Sequence, residues 1–504
     1  MRSTLVLLLG LLLSGSAMAT DWWASEVVSS DRLGNSPYDD PLATLGKPST
    51  WMNNSGSPDD PDPCAIMMVC PAWNVGWPNG EKLITTIKAK TSTLPAGHIT
   101  VKFATPVYDD RLNWYGKDFI VFGNSSFVSG GSYVYSGSNM EEVVISSYGG
   151  GGWWEPMPVS VSQDGMNWYS YADGPYADDY APTHAFAWDW VENRWLKDSA
   201  GAEVELDFAR PVWPMLGIAD FDGKSAAQGM DMYRGSGGGT ACDLSELPLP
   251  IDPITGLKWI QYVRVDGAMG EVDAFSRVSH QIAEMSIGEA KKLPNGSKVV
   301  LRECVVSAAA YEVGRWCYVE HSERSGGIKV MGRVLERDKH YIIYGDMDTI
   351  ADERVILATS AIPVLDKQGQ IVATPVCALG MPNRSIGGGN FFTQPGQSVG
   401  QKGVKDGTGL NNIGMLVRTW GKVKSVDQTA KSFVIDDGSG RLIKCIAPRD
   451  TQADEPNNGS VPDPSFTPPA QDSFVIVTGI SSCESNGQDE LVSVLRLRNA
   501  LDLQ

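Results

Sequence analysis

Apolar and polar side chains alternate in short runs along most of the chain. Ile99-Thr-Val-Lys-Phe103 and Pro158-Val-Ser-Val-Ser162 carry the two-residue period of strands half buried in a sheet, and the turn Gln163-Asp164-Gly165 closes the second. Asp118-Phe-Ile-Val-Phe122 is nearly continuous in apolar residues, the pattern of a strand covered on both faces. Trp259-Ile-Gln-Tyr-Val-Arg-Val265 adds a run of β-branched and aromatic residues. Helical periodicity is scarce, and its best stretch, Gln281 to Lys292, is brief. With 54 glycines and 30 prolines punctuating 504 residues, the chain reads as all-β.

The rear half repeats itself. Val299-Val-Leu-Arg-Glu-Cys-Val-Val306 and Met415-Leu-Val-Arg-Thr-Trp-Gly-Lys422 lie 116 residues apart, and Trp316-Cys-Tyr-Val-Glu320 meets Ser432-Phe-Val-Ile-Asp436 at the same offset. Ile328-Lys-Val330 with Ile443-Lys-Cys445, Tyr341-Ile-Ile-Tyr-Gly345 with Val475-Ile-Val-Thr-Gly479, and Arg354-Val-Ile-Leu357 with Leu491-Val-Ser-Val494 continue the order. Five short strands per copy predict two OB-like barrels, similar to modules related to nucleic-acid-binding ones. The helix usual between the third and fourth strands is missing from both copies. The expected organisation is a leader at 1–19, an acidic jelly-roll-like sandwich at 20–283 and an OB-like domain at 284–385. A glycine-rich connector at 386–414 and a second OB-like domain at 415–504 complete it.

Three motifs in the front part resemble a family of exported bacterial cell-surface β-sandwich proteins: Tyr115-Gly-Lys-Asp-Phe-Ile-Val-Phe-Gly-Asn124, Val159-Ser-Val-Ser-Gln-Asp-Gly-Met-Asn-Trp168 and Trp259-Ile-Gln-Tyr-Val-Arg-Val-Asp266. Gly235-Ser-Gly-Gly-Gly-Thr-Ala-Cys-Asp-Leu244 and Gly270-Glu-Val-Asp-Ala-Phe275 fit the same pattern, with Cys242 outside it. The resemblance covers most of 40–280 and implies a sandwich fold and a cell-surface location. Arg2, the leucine-rich run Leu5 to Leu13 and Ala17-Met-Ala19 independently read as a secretory signal peptide, too short in its apolar part to span a bilayer. The protein is therefore expected to be periplasmic or extracellular, with no membrane span.

Charge is uneven. Residues 1–283 hold 17 Lys+Arg against 34 Asp+Glu, a balance of −17, and the remainder holds 24 against 26, a balance of −2. An acidic front half repels phosphate backbones and suits cations. Asp109, Asp110, Asp220, Asp222 and Asp243 are the candidate ligands for a structural Ca²⁺, since hard oxygens on neighbouring loops are what that ion needs. Fourteen of the 16 tryptophans precede residue 284. Trp153, Trp154, Trp188 and Trp190 are the candidate stacking surfaces for sugar rings. Eight cysteines in an exported chain predict disulfides, with Cys64–Cys70, Cys304–Cys317 and Cys445–Cys483 as candidate pairs.

No catalytic set stands out. There is no H-E-x-x-H and no G-x-S-x-G, and of five histidines His184, near Asp178, Asp179 and Asp189, is the most notable, though a packed or exposed loop histidine is the favoured reading. The expected function is non-catalytic binding of glycan or envelope material. The alternatives are a polysaccharide hydrolase or lyase using front-domain carboxylates, and an OB-mediated nucleic-acid binder. For the last, Trp316, Tyr318, Trp420 and Phe433 would stack bases, with Lys402, Lys405, Arg418, Lys422, Lys424, Arg441 and Lys444 nearby. In the repeat, Trp420 and Phe433 fall on Cys304 and Cys317, which predicts a packed cross-strand pair; nucleic acid is the least favoured partner.

Overall fold

The computed structural model describes residues 22–504 except 56, 58–61, 73–81, 131–133, 147–151, 393–398, 453–456 and 489. The leader at 1–19, Trp73, Trp77 and most of the glycine run before Trp153 therefore lie outside the described residues. The chain is all-β. No helix among the described residues is long and apolar enough to cross a membrane.

Two sheets organise the front unit. Their strands are β1 (Ala24–Asp31), β2 (His98–Tyr108), β3 (Phe119–Phe122), β4 (Val159–Ser162), β5 (Trp168–Ser170), β6 (Thr240–Cys242), β7 (Trp259–Asp266) and β8 (Ala274–Arg277). One sheet has the order β1-β2-β7-β4-β5 and the other β6-β3-β8. Inward residues of both, such as Val101, Phe103, Val121, Val161, Val263 and Phe275, share one core, so the sheets form a sandwich. The alternate residues of β3, Ile120 and Phe122, enter a second core built by the long loops. All four β3 residues are buried, as their apolar run requires.

Each rear copy closes into a barrel. The first holds β9 (Lys298–Ala308), β10 (Cys317–His321), β11 (Gly327–Met331), β12 (His340–Ile350) and β13 (Glu353–Pro363) in the order β9-β10-β11-β13-β12. The second holds β14 (Leu416–Asp427), β15 (Ser432–Asp436), β16 (Leu442–Ile446), β17 (Phe474–Ser485) and β18 (Leu491–Arg496) in the equivalent order, and β14 pairs with β17 to close the ring. In both, the third and fifth strands run parallel. Val300 and Tyr344 of the first barrel enter the front unit's loop core, so these two units pack through apolar surface.

Of the stretch Gln281–Lys292, only Ile287–Ala290 is helical, started by Ser286 and Glu289 in a capping box. A second helix, Ala226–Met232, starts the same way from Ser225 and Gln228. Gly388 needs its small size: it has φ +73°, and a Cβ there would lie 2.2 Å from the Leu410 carbonyl oxygen.

The eight cysteines stand as thiols. Cys64 and Cys70 are neighbours, with sulfurs 3.5 Å apart. The other two expected pairs do not face each other. Cys304 is opposite His321 and Cys317 opposite Val330, roughly 13 Å along the ladder from one another. Cys445 and Cys483 lie on β16 and β17, with β18 between them.

Candidate functional site

The residues that precede β1 are held against the smaller sheet. Arg277 N donates to the Trp22 carbonyl at 2.9 Å, and Trp23 bridges Ser276, so both tryptophans run beside β8. They line a groove of about 470 Å³ whose other walls carry Lys47, Glu205, Asp207 and His280 from the front unit and Lys298 and Asp346 from β9 and β12. Trp22 is 40% exposed. Lys47 pairs with Glu205 at 2.5 Å and Lys298 with Asp346 at 3.5 Å. Burial works against the Lys298 charge, but Asp346, Asp207 and Glu205 outweigh it and raise its pKa above the ordinary lysine value. Three carboxylates thus meet two ammonium groups beside exposed indole. Such a surface suits an uncharged ligand with one apolar face and a rim of hydroxyls.

The four tryptophans expected to stack on sugars are not one platform. Trp153 is 61% exposed, on a short strand paired with Ser126. Trp154 packs edge-on against Phe127 at 5.4 Å, in the loop core. Trp188 is buried, its ring edge-on to Trp195 and its Nε1 donating to Glu141 at 3.3 Å. Trp190 is half buried beneath the Arg333 guanidinium. Large flat rings fill space between long loops here, which is why three of the four face inward.

Of the aspartates expected to bind Ca²⁺, Asp109 and Asp243 meet, joined by Asp118, with a carboxylate oxygen of each within 4.8 Å of the others. Much of this cluster is already satisfied. Asp118 accepts from Leu244 N at 2.8 Å, Asn113 Nδ2 at 2.9 Å and Asp110 N at 3.3 Å, and Lys117 Nζ stands 3.7 Å from Asp243. Burial still lifts Asp118 to about 7. The other three are engaged apart from it. Asp110 accepts from Leu112 N and meets His280 Nε2 at 3.1 Å; Asp220 caps Gly217 N at 2.7 Å; Asp222 ends that same turn.

His184 is fully buried, its ring 5.1 Å from Tyr233, and burial pushes it down to about 3. It is a neutral core residue, out of reach of any substrate. On the second barrel, Trp420 is 52% exposed and lines a shallow groove of about 580 Å³ with Phe474 and Ile476, whereas Phe433 is buried. The expected packed pair is therefore split between outside and inside. Lys405, Lys422, Lys424 and Lys444 are ion-paired to Glu490, Asp472, Asp436 and Glu484, which weakens any attraction for polyphosphate.

The groove at Trp22 was not legible as a site because Glu205, Asp207, Lys298 and Asp346 share no spacing. They meet only when the 205–207 segment packs on β9 and β12. The one signal was the pair Trp22-Trp23 itself, directly before the first strand, of which Trp22 is exposed and Trp23 partly buried. No protein-family model matches the chain, and no curated protein matches it.

Proposed function

We propose that this chain is an exported, non-catalytic binding protein that takes a neutral glycan of the cell surface or its surroundings in the groove at Trp22 and Trp23. The observation that carries the reading is that groove: exposed indole, fixed carboxylates and ammonium groups together at a junction between two units, where ligand sites concentrate. The excess of carboxylates favours a neutral saccharide over a polyuronate. The signal-like segment at 1–19 supports export, and the motifs within 115–275 support a cell-surface setting. We read the rear barrels as OB-like modules serving as spacer or docking units, which their one-two-three-five-four strand order supports.

The test is retention of the mature chain, 20–504, on insoluble plant, fungal and bacterial wall polysaccharides, with released sugar measured in parallel. Binding without release is expected. Trp22→Ala with Trp23→Ala should weaken it at least ten-fold, a loss of about 1.4 kcal/mol or more from aromatic anchors, while Trp153→Ala leaves it unchanged. Equal retention by the double variant would remove the groove from the reading. Release of soluble sugar would replace it with the hydrolase or lyase alternative.

A further inference from the structure

The two barrels repeat one another, so the same face can be compared in both. On the fourth strand, Ile342 and Tyr344 of β12 stand where Ile476 and Thr478 stand on β17. All four point out of their barrels, because the alternate residues Tyr341, Ile343, Val475 and Val477 fill the interiors. Opposite them on the first strand lie Val300 in one repeat, and Arg418 and Trp420 in the other. The first barrel's face is covered by protein. Val300 and Tyr344 are buried in the front unit's loop core and Ile342 packs against it. The Arg210 guanidinium lies over the Tyr344 ring at 4.3 Å and over the Trp114 ring at 4.0 Å.

The second barrel's face stands bare among the described residues. Phe474 is 79% exposed and Ile476 41%, and with Trp420 they line the groove over β14 and β17. Besides the Trp420 indole, the groove's polar side chains are Arg418, Thr419 and Gln504, and each is already bonded within the chain. Thr419 Oγ1 donates to Asn383 Oδ1 at 2.8 Å, and Arg418 Nη2 donates to Gln504 Oε1 at 2.5 Å. A sugar needs convergent polar groups to fix its hydroxyls; this lining suits another apolar protein surface better. The rim carries both signs, with Lys422 paired to Asp472 at 2.9 Å and Lys424 to Asp436 at 3.4 Å. Lys422 stands directly opposite Phe474 on the ladder. A rim of mixed sign is complementary to itself about a two-fold axis, whereas a one-signed rim calls for a partner of the other sign.

We propose that this face is where two copies of the chain meet, second barrel to second barrel, with Trp420, Phe474 and Ile476 of each at the centre of a symmetric contact. The face by which the first barrel holds the front unit serves the second barrel to hold its like. The contact does not rest on the glycan reading, but it bears on it. A dimer presents two grooves of the Trp22 kind, and a polysaccharide with repeating units can engage both and leave more slowly.

Sedimentation velocity of the mature chain, 20–504, over a concentration series tests this. A monomer–dimer equilibrium is expected. Trp420→Ala with Phe474→Ser should weaken it at least ten-fold, as loss of central aromatic anchors does. Both side chains are exposed, so the fold is kept, which an unchanged circular-dichroism spectrum checks. Phe474→Ser alone, at the more exposed ring, should weaken association as well. Trp153→Ala, at an exposed tryptophan of the front unit, should associate as the parent does. A parent that stays monomeric at every concentration overturns the proposal, even if it then binds wall polysaccharide or lipid vesicles through Trp420. A double variant that dimerises like the parent overturns it equally, since the contact then lies elsewhere.

Discussion

A histidine in a protein interior is a liability in acid, and His184 is placed to show it. Burial holds its folded-state pKa near 3, against an ordinary value of 6.5. Between these two values the unfolded chain binds a proton that the folded chain refuses, so stability falls as pH drops below about 6.5 and levels off near 3. The share from this one residue is about 3 kcal/mol by pH 4. Urea denaturation of the parent and of His184→Gln at pH 7 and pH 4 measures it. The variant should be less stable at pH 7 but lose less between the two values; equal losses would mean that the imidazole is already protonated in the folded protein. Its acidic neighbours in sequence suggested chemistry, yet the ring packs on Tyr233 while Asp178 turns to Glu155 and Glu271. Adjacency along the chain and adjacency of side chains part company wherever a loop enters a core.

Strand register explains both what the sequence disclosed and what it hid. The two-residue period marked β2, β4 and β7, and the repeated strand order, at an offset of 116 residues for the first two strands of each barrel, placed the barrel strands, because alternation and order survive when identities do not. Side-chain direction was lost at one point. In β9, Arg302 and Glu303 are both exposed and the ladder slips between Leu301 and Cys304, a bulge that resets the inward face. Around the matching position β14 alternates without a break, from Val417 to Lys424, with Thr419 and Gly421 inward and Trp420 outward. Cys304 and Trp420 are thus equivalent in number and opposite in direction, and an ungapped alignment has no means to register a bulge. The consequence is measurable. Phe433→Ala should destabilise the second barrel by about 3 to 5 kcal/mol, as truncation of a buried aromatic does, and Trp420→Ala by less than about 1 kcal/mol. Chemical denaturation of the two variants decides between this assignment and a packed pair, which would make both costly.

Across the whole molecule, the barrels are joined by a polar node rather than a linker. Glu353, at the start of β13, is fully buried and pairs with Lys329 of β11 at 2.5 Å, while Tyr318 of β10 donates to it at 2.8 Å. From the second barrel Ser482 donates its hydroxyl to the same carboxylate and Cys483 its backbone N–H at 3.2 Å. Nearby, Lys291 donates to the carbonyl of Ile413, in the connector just before β14, at 2.6 Å. Burial alone would raise the Glu353 pKa, but the charges of Lys329 and Arg496 prevail and hold it at about 2. A depressed carboxylate stabilises the fold fully above its unfolded value, near 4.5, and that contribution drains away as pH falls towards 2. Removing it at neutral pH is worse than never having had it, because Lys329 is then left buried with its charge uncompensated, at a cost of about 3 to 5 kcal/mol. Because the carboxylate is shared between barrels, Glu353→Ala should lower the unfolding temperature of both together. Calorimetry at pH 7, with hydrogen exchange at Val319 in β10 and Val477 in β17 as reporters for each barrel, distinguishes the cases. Faster exchange at both sites marks the barrels as one cooperative unit. Faster exchange at Val319 alone would mean that the second barrel stands without the node, and that the two copies remain as separable as their repeated sequence first implies.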